Sequence, residues 1–354
     1  MTRQALFVGI EQYDRHAPLR CCRKDARAMA KTLEFEDGGR PNWSGRVLVD
    51  GASRDVGQDD LVAGVSHLLD STDQDDVLFY YSGHAFLLGD GDLLLASCED
   101  DPASPDGERS GLRLSELIAH VKRRAARLRS VVVILDCCHA GAAVVDAAFP
   151  GDVRNMAVLA ASRDDQQARE VGEHGRFTAS LLAGLEGDSA DIFGNISVVS
   201  LFADASESLE RRDVTQKPVL KACLEHDIII KRVSATITEQ SLQSLVRTRD
   251  PRNGGHVFET SRTVFHPYPD MEAPEPADGG RRSRQGNEHA KDLNEHQRLM
   301  ETIKKWRDAR LIAITDDSGA TRDLYWACLN GGSVRLTPRG RYYFDLMKRR
   351  MEDF

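Results

Sequence analysis

Two apolar segments of this chain end in polar side chains that could perform nucleophilic chemistry. The segment VLFYY runs into Ser82 and His84, and the segment VVVIL runs into Asp136 and Cys138. A thiol needs a base or a cationic neighbour to become a good nucleophile at neutral pH. An imidazole can take that proton and later return it to a leaving group. The pair Cys138 and His84 therefore predicts covalent catalysis by a cysteine.

The same two segments, taken as strands, predict which side chains share a crevice. Side chains two residues apart on a strand share a face, so Ser82 accompanies His84 and Asp136 accompanies Cys138. Cys137 points the other way, into packing. Ligands of open parallel sheets bind at the carboxyl ends of the strands. We expect the four polar groups to converge there.

The elements that must position these groups alternate between strands and helices over the first 230 residues. Runs that are apolar on both faces are typical of a parallel sheet covered by helices on both sides. The predicted strands are ALFVGI, RVLVD, VLFYY, VVVIL, MAVLAAS and PVLKA. Amphipathic stretches between them, such as KDARAMAKTL and LSELIAHVKRRAARL, predict helices. We predict a doubly wound, mostly parallel α/β sheet flanked by helices, with DLLLAS as one arm of a small hairpin.

Composition changes after this domain, and we predict three parts: residues 1–233, 234–290 and 291–354. The middle part contains DPRNGG and EAPEPADGGRRSRQG and no long periodic run, which predicts a linker or a partly ordered activation segment. The last part regains periodicity as helix, strand, turn and helix. It resembles a small winged-helix-like α+β domain, for which we expect a regulatory or interaction role.

The net charge of -9 argues against a nucleic-acid or membrane partner for the whole chain, since both need a cationic surface. The chain opens without a secretory leader and has no bilayer-spanning apolar run, so we expect a cytoplasmic protein. Seven cysteines without a CxxC pair argue against a disulfide framework. A metal site built from Cys22, Cys137, Cys138 and His139 would lack the paired spacing that zinc prefers.

The motifs YYSGHA and LDCCHAG resemble the Y-S-G-H-G and D-x-C-H-S-G motifs of metacaspases and their bacterial relatives, which belong to the caspase-like cysteine peptidases. In caspases the histidine lies about 50 residues before the cysteine, and here the separation is 54. Further segments are similar to that family in the same order. They are VGIEQYD, LRCCRKDA, VLAASRDDQQARE, GRFTASLLAGL and TQKPVL.

This resemblance covers about residues 4 to 230 and implies a role for several residues. It implies that Cys138 is the nucleophile and His84 the general acid and base. The backbone N–H groups of Ala85 and Cys138 would form the oxyanion hole. Asp25, Ser82 and Asp136 would line the primary specificity pocket, whose carboxylates would favour a substrate Arg or Lys.

Three positions depart from the family's pattern. Ala85 stands where the family usually has Gly, while Ala140 and Cys137 each replace a Ser. The acidic residues that some metacaspases use for calcium do not align. We therefore expect no cofactor and leave calcium dependence open.

The expected partners are protein substrates and, for regulation, an activating protease or a regulatory protein. If the pocket takes arginine, Arg281 and Arg282 are candidate self-cleavage sites. Small bacterial proteins of this kind resemble components of stress or antiviral defence systems.

Two other functions stay open. The chain could be an inactive caspase-fold adaptor that acts through its C-terminal domain, although it retains both Cys138 and His84. It could also be a transcriptional regulator with a degenerate protease domain. A peptidase assay distinguishes an active enzyme from the inactive adaptor. A measurement of DNA binding by residues 290–354 tests the transcriptional regulator.

Overall fold

The computed structural model describes residues 3–51, 55–70, 75–138, 155–161, 170–171, 173–212, 217–248, 298, 301–315 and 333–352. The chain divides into two compact units, Met1–Ser234 and Ala235–Phe354. Within the described residues no helix is long and apolar enough to cross a bilayer.

A six-stranded sheet forms the centre of the first unit, and its strands are the six that the apolar runs predict. The strands are β1 (Arg3–Gly9), β2 (Ser44–Val49), β3 (Asp75–Ser82), β7 (Leu128–Asp136), β8 (Met156–Ala160) and β12 (Val219–Cys223). Their order is β12-β8-β7-β3-β1-β2. The strands pair in parallel except β12, which runs antiparallel to β8. The prediction of a mostly parallel sheet is confirmed.

Helices cover both faces of this sheet, as a doubly wound fold requires. They are α1 (Cys22–Glu34), α2 (Gln58–Asp70), α3 (Leu114–Arg124), α4 (Arg176–Ala183) and α5 (Val198–Arg212). Apolar residues of α2 and α3 pack in one core layer. Those of α1, α4 and α5 pack in the other. A 3-10 turn (Ala125–Arg127) follows α3, and a π-helical turn (Gly184–Asp188) follows α4.

Three small antiparallel sheets belong to the described part of this unit. β4 (Ala85–Leu87), β5 (Leu93–Ala96) and β6 (Gly111–Arg113) form a three-stranded sheet. The predicted hairpin arm DLLLAS is its middle strand, β5. Two further pairs are β9 (Glu170–Val171) with β10 (His174–Gly175), and β11 (Asn195–Ser197) with β13 (Ile229–Arg232).

The end of β1 passes unusually close to the start of α1. A Cβ atom on Gly9 would lie 2.2 Å from the carbonyl oxygen of Cys22, so a larger residue at this position would push the helix away. The first turn of α1 thus sits against the carboxyl edge of the sheet, which brings Asp25 to that edge.

The second unit has mixed helices and strands in its described part. It contains α6 (Glu239–Arg247), a helix at residues 301–308, β14 (Ile312–Thr315), antiparallel β15 (Ser333–Leu336) and a C-terminal helix (Pro338–Glu352). The predicted helix, strand and final helix are present, but Pro338 and Gly340 of the predicted turn LTPRG belong to the C-terminal helix. The segment DLYWACL lies outside the described residues, and the winged-helix interpretation stays a prediction.

α6 lies in the stretch that was predicted as a linker. Its start is set by Thr238, whose side-chain oxygen accepts a hydrogen bond from the backbone N–H of Ser241 at 3.2 Å. Trp306 then donates from its indole Nε1 to the carbonyl of Ser241 at 2.8 Å. A capping threonine and a distant tryptophan stabilise this helix, although the sequence shows no long period here. Arg281 and Arg282 lie outside the described residues.

Candidate active site

The ends of three neighbouring strands bring the predicted polar groups to one edge of the sheet. Gly9 is in register with Ser82 across β1 and β3, and Ser82 is in register with Asp136 across β3 and β7. Ser82 and Asp136 therefore point to the same face. His84 and Cys138 each follow two residues later, beyond the last paired residue of their strands.

Two tyrosine hydroxyls hold the backbone of His84. Its N–H donates to the Tyr13 hydroxyl at 2.8 Å, and its carbonyl accepts from the Tyr81 hydroxyl at 2.7 Å. A Cβ on Gly83 would lie 2.6 Å from the Tyr81 hydroxyl and 2.7 Å from the Tyr13 hydroxyl. Glycine is thus required next to His84 because both hydroxyls occupy the space of a side chain.

A backbone carbonyl sets the tautomer of the His84 ring. Nε2 lies 2.8 Å from the carbonyl oxygen of Ala17. Since a carbonyl can only accept, Nε2 carries the hydrogen and Nδ1 keeps its lone pair when the ring is neutral. The nitrogen that can take a proton is therefore Nδ1.

The loop that supplies this carbonyl is anchored by a buried ionic network. Nε2 of His16 lies 2.8 Å from Oδ2 of Asp100, and Arg109 binds both oxygens of the same carboxylate at 2.7 and 2.5 Å. The ring of Phe86 stacks on the His16 ring, and the Arg109 guanidinium lies over the same Phe86 ring, 4.7 Å from its centroid. The contacts with Asp100 and Phe86 hold the side chain of His16, and so they hold the backbone next to Ala17.

Two buried carboxylates form the acidic side of the site. Asp25 accepts from Nδ1 of His174 at 2.6 Å and from the backbone N–H of Gly175 at 3.1 Å. Asp136 accepts from the backbone N–H and the hydroxyl of Thr178, at 3.2 and 2.6 Å.

The Thr178 hydroxyl uses its single hydrogen for Asp136, so it accepts from the Tyr80 hydroxyl, 2.6 Å away. Burial, with the nearby charges of Asp25 and Asp136, raises the pKa of Tyr80 well above its ordinary value. Tyr80 therefore stays a donor, and the chain of hydrogen bonds ends on the Asp136 carboxylate.

The two adjacent cysteines differ in environment. Cys138 is partly exposed at the pocket, while Cys137 is buried in the core layer that contains Tyr81 and Leu135. Burial, and then the neighbouring charge of Cys138, raises the pKa of Cys137 well above its ordinary value. Cys137 thus remains a protonated thiol at neutral pH, which favours a packing role.

The backbone N–H of Ala85 is turned away from its neighbouring strand. Ala96 N donates to the carbonyl of His84, so residues 84 and 96 form the hydrogen-bonded pair at this end of β4 and β5. The next pair, Ala85 with Leu95, is therefore of the non-hydrogen-bonded kind, in which the N–H points outward. Alanine in place of the usual Gly does not turn this N–H into the sheet.

One pocket brings most of the predicted residues together. Its lining residues come from β3, β7, α1 and the loops that follow; they are Leu19, Cys22, Asp25, Ser82, Gly83, His84, Asp136, Cys137, Cys138 and Gly175. His139 and Ala140 lie outside the described residues. Among the residues that the structure describes, no group of three or more His, Cys, Asp or Glu side chains could hold a metal ion.

Sequence reasoning did not find Tyr13, Ala17, His174 or Thr178 as parts of this site. Tyr13 and Thr178 lie inside motifs that were noted, VGIEQYD and GRFTASLLAGL, so the motifs gave a signal for their segments. Ala17 acts through its backbone, and His174 precedes the second motif. No residue type in the sequence marks those two.

The strand ends of a mostly parallel sheet surround one pocket with a thiol, an imidazole and two carboxylates, so the fold and the pocket are those of an α/β protein. The family model described as caspase domain matches residues 2–228, more than half of the chain. The chain therefore belongs to the caspase-domain family of cysteine-type peptidases.

The curated relatives support this assignment. The chain is 31% identical over 159 residues to Metacaspase-2 of Trypanosoma brucei brucei. The matched segment covers 42% of this chain and 44% of the relative. It is 31% identical over 159 residues to Metacaspase-3 of Trypanosoma brucei brucei, with 42% and 43% covered. The chain thus spans less than half the length of these relatives.

A solved structure of a Geobacter sulfurreducens protein is also similar, with a TM-score of 0.49 and 16% identity, over 66% of this chain and 100% of that one.

Proposed function

We propose that this protein is a cysteine endopeptidase that cleaves after Arg or Lys, with Cys138 as nucleophile and His84 as proton-transfer partner. The observation that supports this most is that one pocket contains both residues beside Asp25, Ser82 and Asp136. Family membership supports the peptidase class, and the carboxylates support the preference for a basic side chain.

The proposed reaction follows from the tautomer of His84. Nδ1 takes the proton of the Cys138 thiol, and the sulfur attacks the carbonyl carbon of the scissile bond. The N–H groups of Ala85 and Cys138 stabilise the oxyanion that forms. Nδ1 then gives its proton to the departing amine and leaves an acyl-enzyme. It next takes a proton from water, which attacks the thioester carbon and breaks the carbon–sulfur bond to release the new carboxyl terminus. Nδ1 then returns this proton to the Cys138 sulfur. Nε2 stays bound to the Ala17 carbonyl throughout.

The acidic pocket supports a basic residue at the cleaved position. Asp25 and Asp136 are held at fixed angles by His174, Gly175 and Thr178, so their charge is already oriented for a guanidinium or an ammonium group. A cation that leaves water for this pocket needs such paired charge to offset its desolvation.

We further propose that catalysis needs no metal ion, that the protein acts in the cytoplasm on protein substrates, and that an activating protease or regulatory protein controls it. A role in stress-induced proteolysis or antiviral defence is part of the same proposal. Excess EDTA should leave the initial rate unchanged, and a rate restored by calcium would contradict the metal-free part.

The central test compares the purified chain with Cys138→Ala and His84→Ala on fluorogenic peptides that carry Arg, Lys, Asp or Leu at the cleaved position. We expect cleavage after Arg and Lys, and a loss of kcat of about 10⁴-fold or more in each variant because the two residues act as a unit. Cys137→Ser is the matched control and should keep its activity. Turnover of none of the peptides would favour the inactive adaptor instead.

Self-cleavage follows from the same specificity. Arg281 and Arg282 are the proposed sites, since their segment is rich in Gly, Pro and polar residues. Mass spectrometry of the incubated chain should find new termini after these residues in the wild type and not in Cys138→Ala. An Arg281→Gln, Arg282→Gln double variant should lose those termini and keep peptide cleavage.

A further inference from the structure

The side chain of His174 binds the buried carboxylate of Asp25 and also reaches solvent. Its Nδ1 lies 2.6 Å from Oδ1 of Asp25, and its side chain is 30% exposed, whereas that of Asp25 is 1% exposed. A carboxylate oxygen accepts, so Nδ1 donates the hydrogen. The imidazole thus covers the outer side of a buried charge.

Gly175, the next residue, touches both carboxylates of the pocket. Its N–H donates to Oδ2 of Asp25 at 3.1 Å. A Cβ at this position would lie 2.5 Å from Oδ2 of Asp136 and 3.2 Å from Oδ2 of Asp25. Two consecutive residues of β10 therefore hold both oxygens of Asp25, which keeps the carboxylate from rotating.

We propose that His174 is a specificity-determining residue of the primary pocket, which orients Asp25 towards a cationic substrate side chain without cancelling its charge. The inference rests on the proposed cleavage after basic residues. A histidine can donate a hydrogen bond to a carboxylate while it is uncharged, which lysine and arginine cannot do. A permanent cation at position 174 would pair with Asp25 and compete with the cation of the substrate.

The hairpin that carries His174 offers a matched control. Glu173 pairs with Lys24 at 3.3 Å, but both side chains are largely exposed, and neither lines the pocket. Such an exposed ion pair contributes little to the stability of the fold. Glu173→Gln therefore changes the same hairpin and leaves the carboxylates as they are.

The test measures kcat and KM of the full chain on two peptides that differ only at the cleaved position, Arg in one and neutral citrulline in the other. His174→Asn places an amide donor near the position of Nδ1, and we expect its KM for the Arg peptide within about threefold of wild type. His174→Gln cannot place its donor there, so its KM should rise about tenfold with kcat within about twofold. His174→Arg should reduce the preference for Arg over citrulline by at least tenfold, and Glu173→Gln should match wild type.

A binding measurement on a variant without the Cys138 thiol reports substrate affinity independently of peptide cleavage. Calorimetric titration of the Arg peptide into Cys138→Ala and into Cys138→Ala with His174→Arg should show a Kd at least tenfold weaker in the double variant.

Equal preference for Arg over citrulline in wild type and in every folded His174 variant would overturn the inference and leave the proposed function intact. A wild type that does not prefer Arg over citrulline would instead overturn the basic specificity, and the inference with it. The Asn and Gln variants keep the comparison valid if His174→Arg does not fold.

Discussion

At the scale of single residues, three neutral groups bind the backbone and the imidazole Nε2 of His84. Hydroxyls of Tyr13 and Tyr81 bind its backbone, and the carbonyl of Ala17 binds Nε2. Burial raises the pKa of Tyr13 and of Tyr81 well above the ordinary value, so neither phenol ionises near neutral pH. The contacts around this histidine therefore hold over the pH range in which an imidazole exchanges its proton.

Selective alkylation tests the contrast between the two adjacent thiols. The thiolate is the reactive form, and burial raises the pKa of Cys137 well above its usual value and that of Cys98 to about 11. At pH 8 we expect iodoacetamide to modify Cys138 at least tenfold faster than Cys137 or Cys98, as measured by peptide mass spectrometry. In denaturant the three should react at similar rates. Equal alkylation rates for Cys137 and Cys138 in the folded protein would contradict the burial of Cys137.

Gly83 gives a steric prediction at the same scale. An alanine there would place its Cβ within 2.7 Å of both tyrosine hydroxyls, and displacement of either one releases the backbone of His84. We expect Gly83→Ala to reduce kcat at least tenfold while the thermal unfolding midpoint falls by only a few degrees. Gly89→Ala, which lies on an exposed turn, is the control. Wild-type kcat in Gly83→Ala would show that the hydroxyls do not position the histidine.

At the scale of elements, the three-stranded sheet β4–β6 acts on the site through the loop after β1. Asp100 receives His16 from that loop and Arg109 from the segment before β6. Burial alone would raise the pKa of Asp100, but hydrogen bonds from Arg109 and His16 outweigh it, so the pKa is lowered. The ionised carboxylate of Asp100 binds His16 and Arg109, and so it connects the loop that contains Ala17 to the sheet β4–β6.

Asp100→Asn tests this connection. It leaves the buried Arg109 without its counter-charge, so we expect a loss of stability on the order of 3 kcal/mol and a several-fold lower kcat with little change in KM. A lowered pKa stabilises the fold above the unfolded value of about 3.9, and that contribution is lost as pH falls through the folded value. Stability of Asp100→Asn should therefore depend less on pH below about 4 than that of wild type. Glu108→Gln, an exposed neighbour, should behave as wild type in chemical denaturation at each pH.

At the scale of the whole molecule, the chain contains two units with separate cores. The first unit ends with β13, just before Ser234. In the second, the C-terminal helix packs closely on the segment before β14, because a Cβ on Gly340 would lie 1.8 Å from the carbonyl oxygen of Leu311. That contact is specific to the second unit.

Gly340→Ala should therefore destabilise one unit only. We expect peptides from the helix Pro338–Glu352 to lose protection in hydrogen exchange, while peptides from β1, β3 and β7 keep it. Tyr342→Ala, at a side chain that is 61% exposed, is the control and should leave both unchanged. Equal loss of protection in the central sheet would show that the two units unfold together.

The sequence by itself determined the six strands of the central sheet and the placement of Ser82, His84, Asp136 and Cys138 at their ends. Apolar runs and helical periods are local properties, and the rule that parallel strands carry sites at their carboxyl ends needs only the order of the elements. The helix α6 escaped prediction because it is only nine residues long and forms no long period. Its local signals are the capping Thr238 and the helical spacing of Leu242 and Leu245.

Only the tertiary structure decided which groups surround those side chains. His174 meets Asp25 across 149 residues, and Ala17 meets His84 through a backbone atom that any residue type would supply. Such contacts depend on the paths of loops and short hairpins, which the periodicity of the sequence does not encode. The physical reason is that strand formation follows from local pattern, whereas the order of the strands and the hydrogen bonds of a pocket follow from the packing of segments distant in sequence.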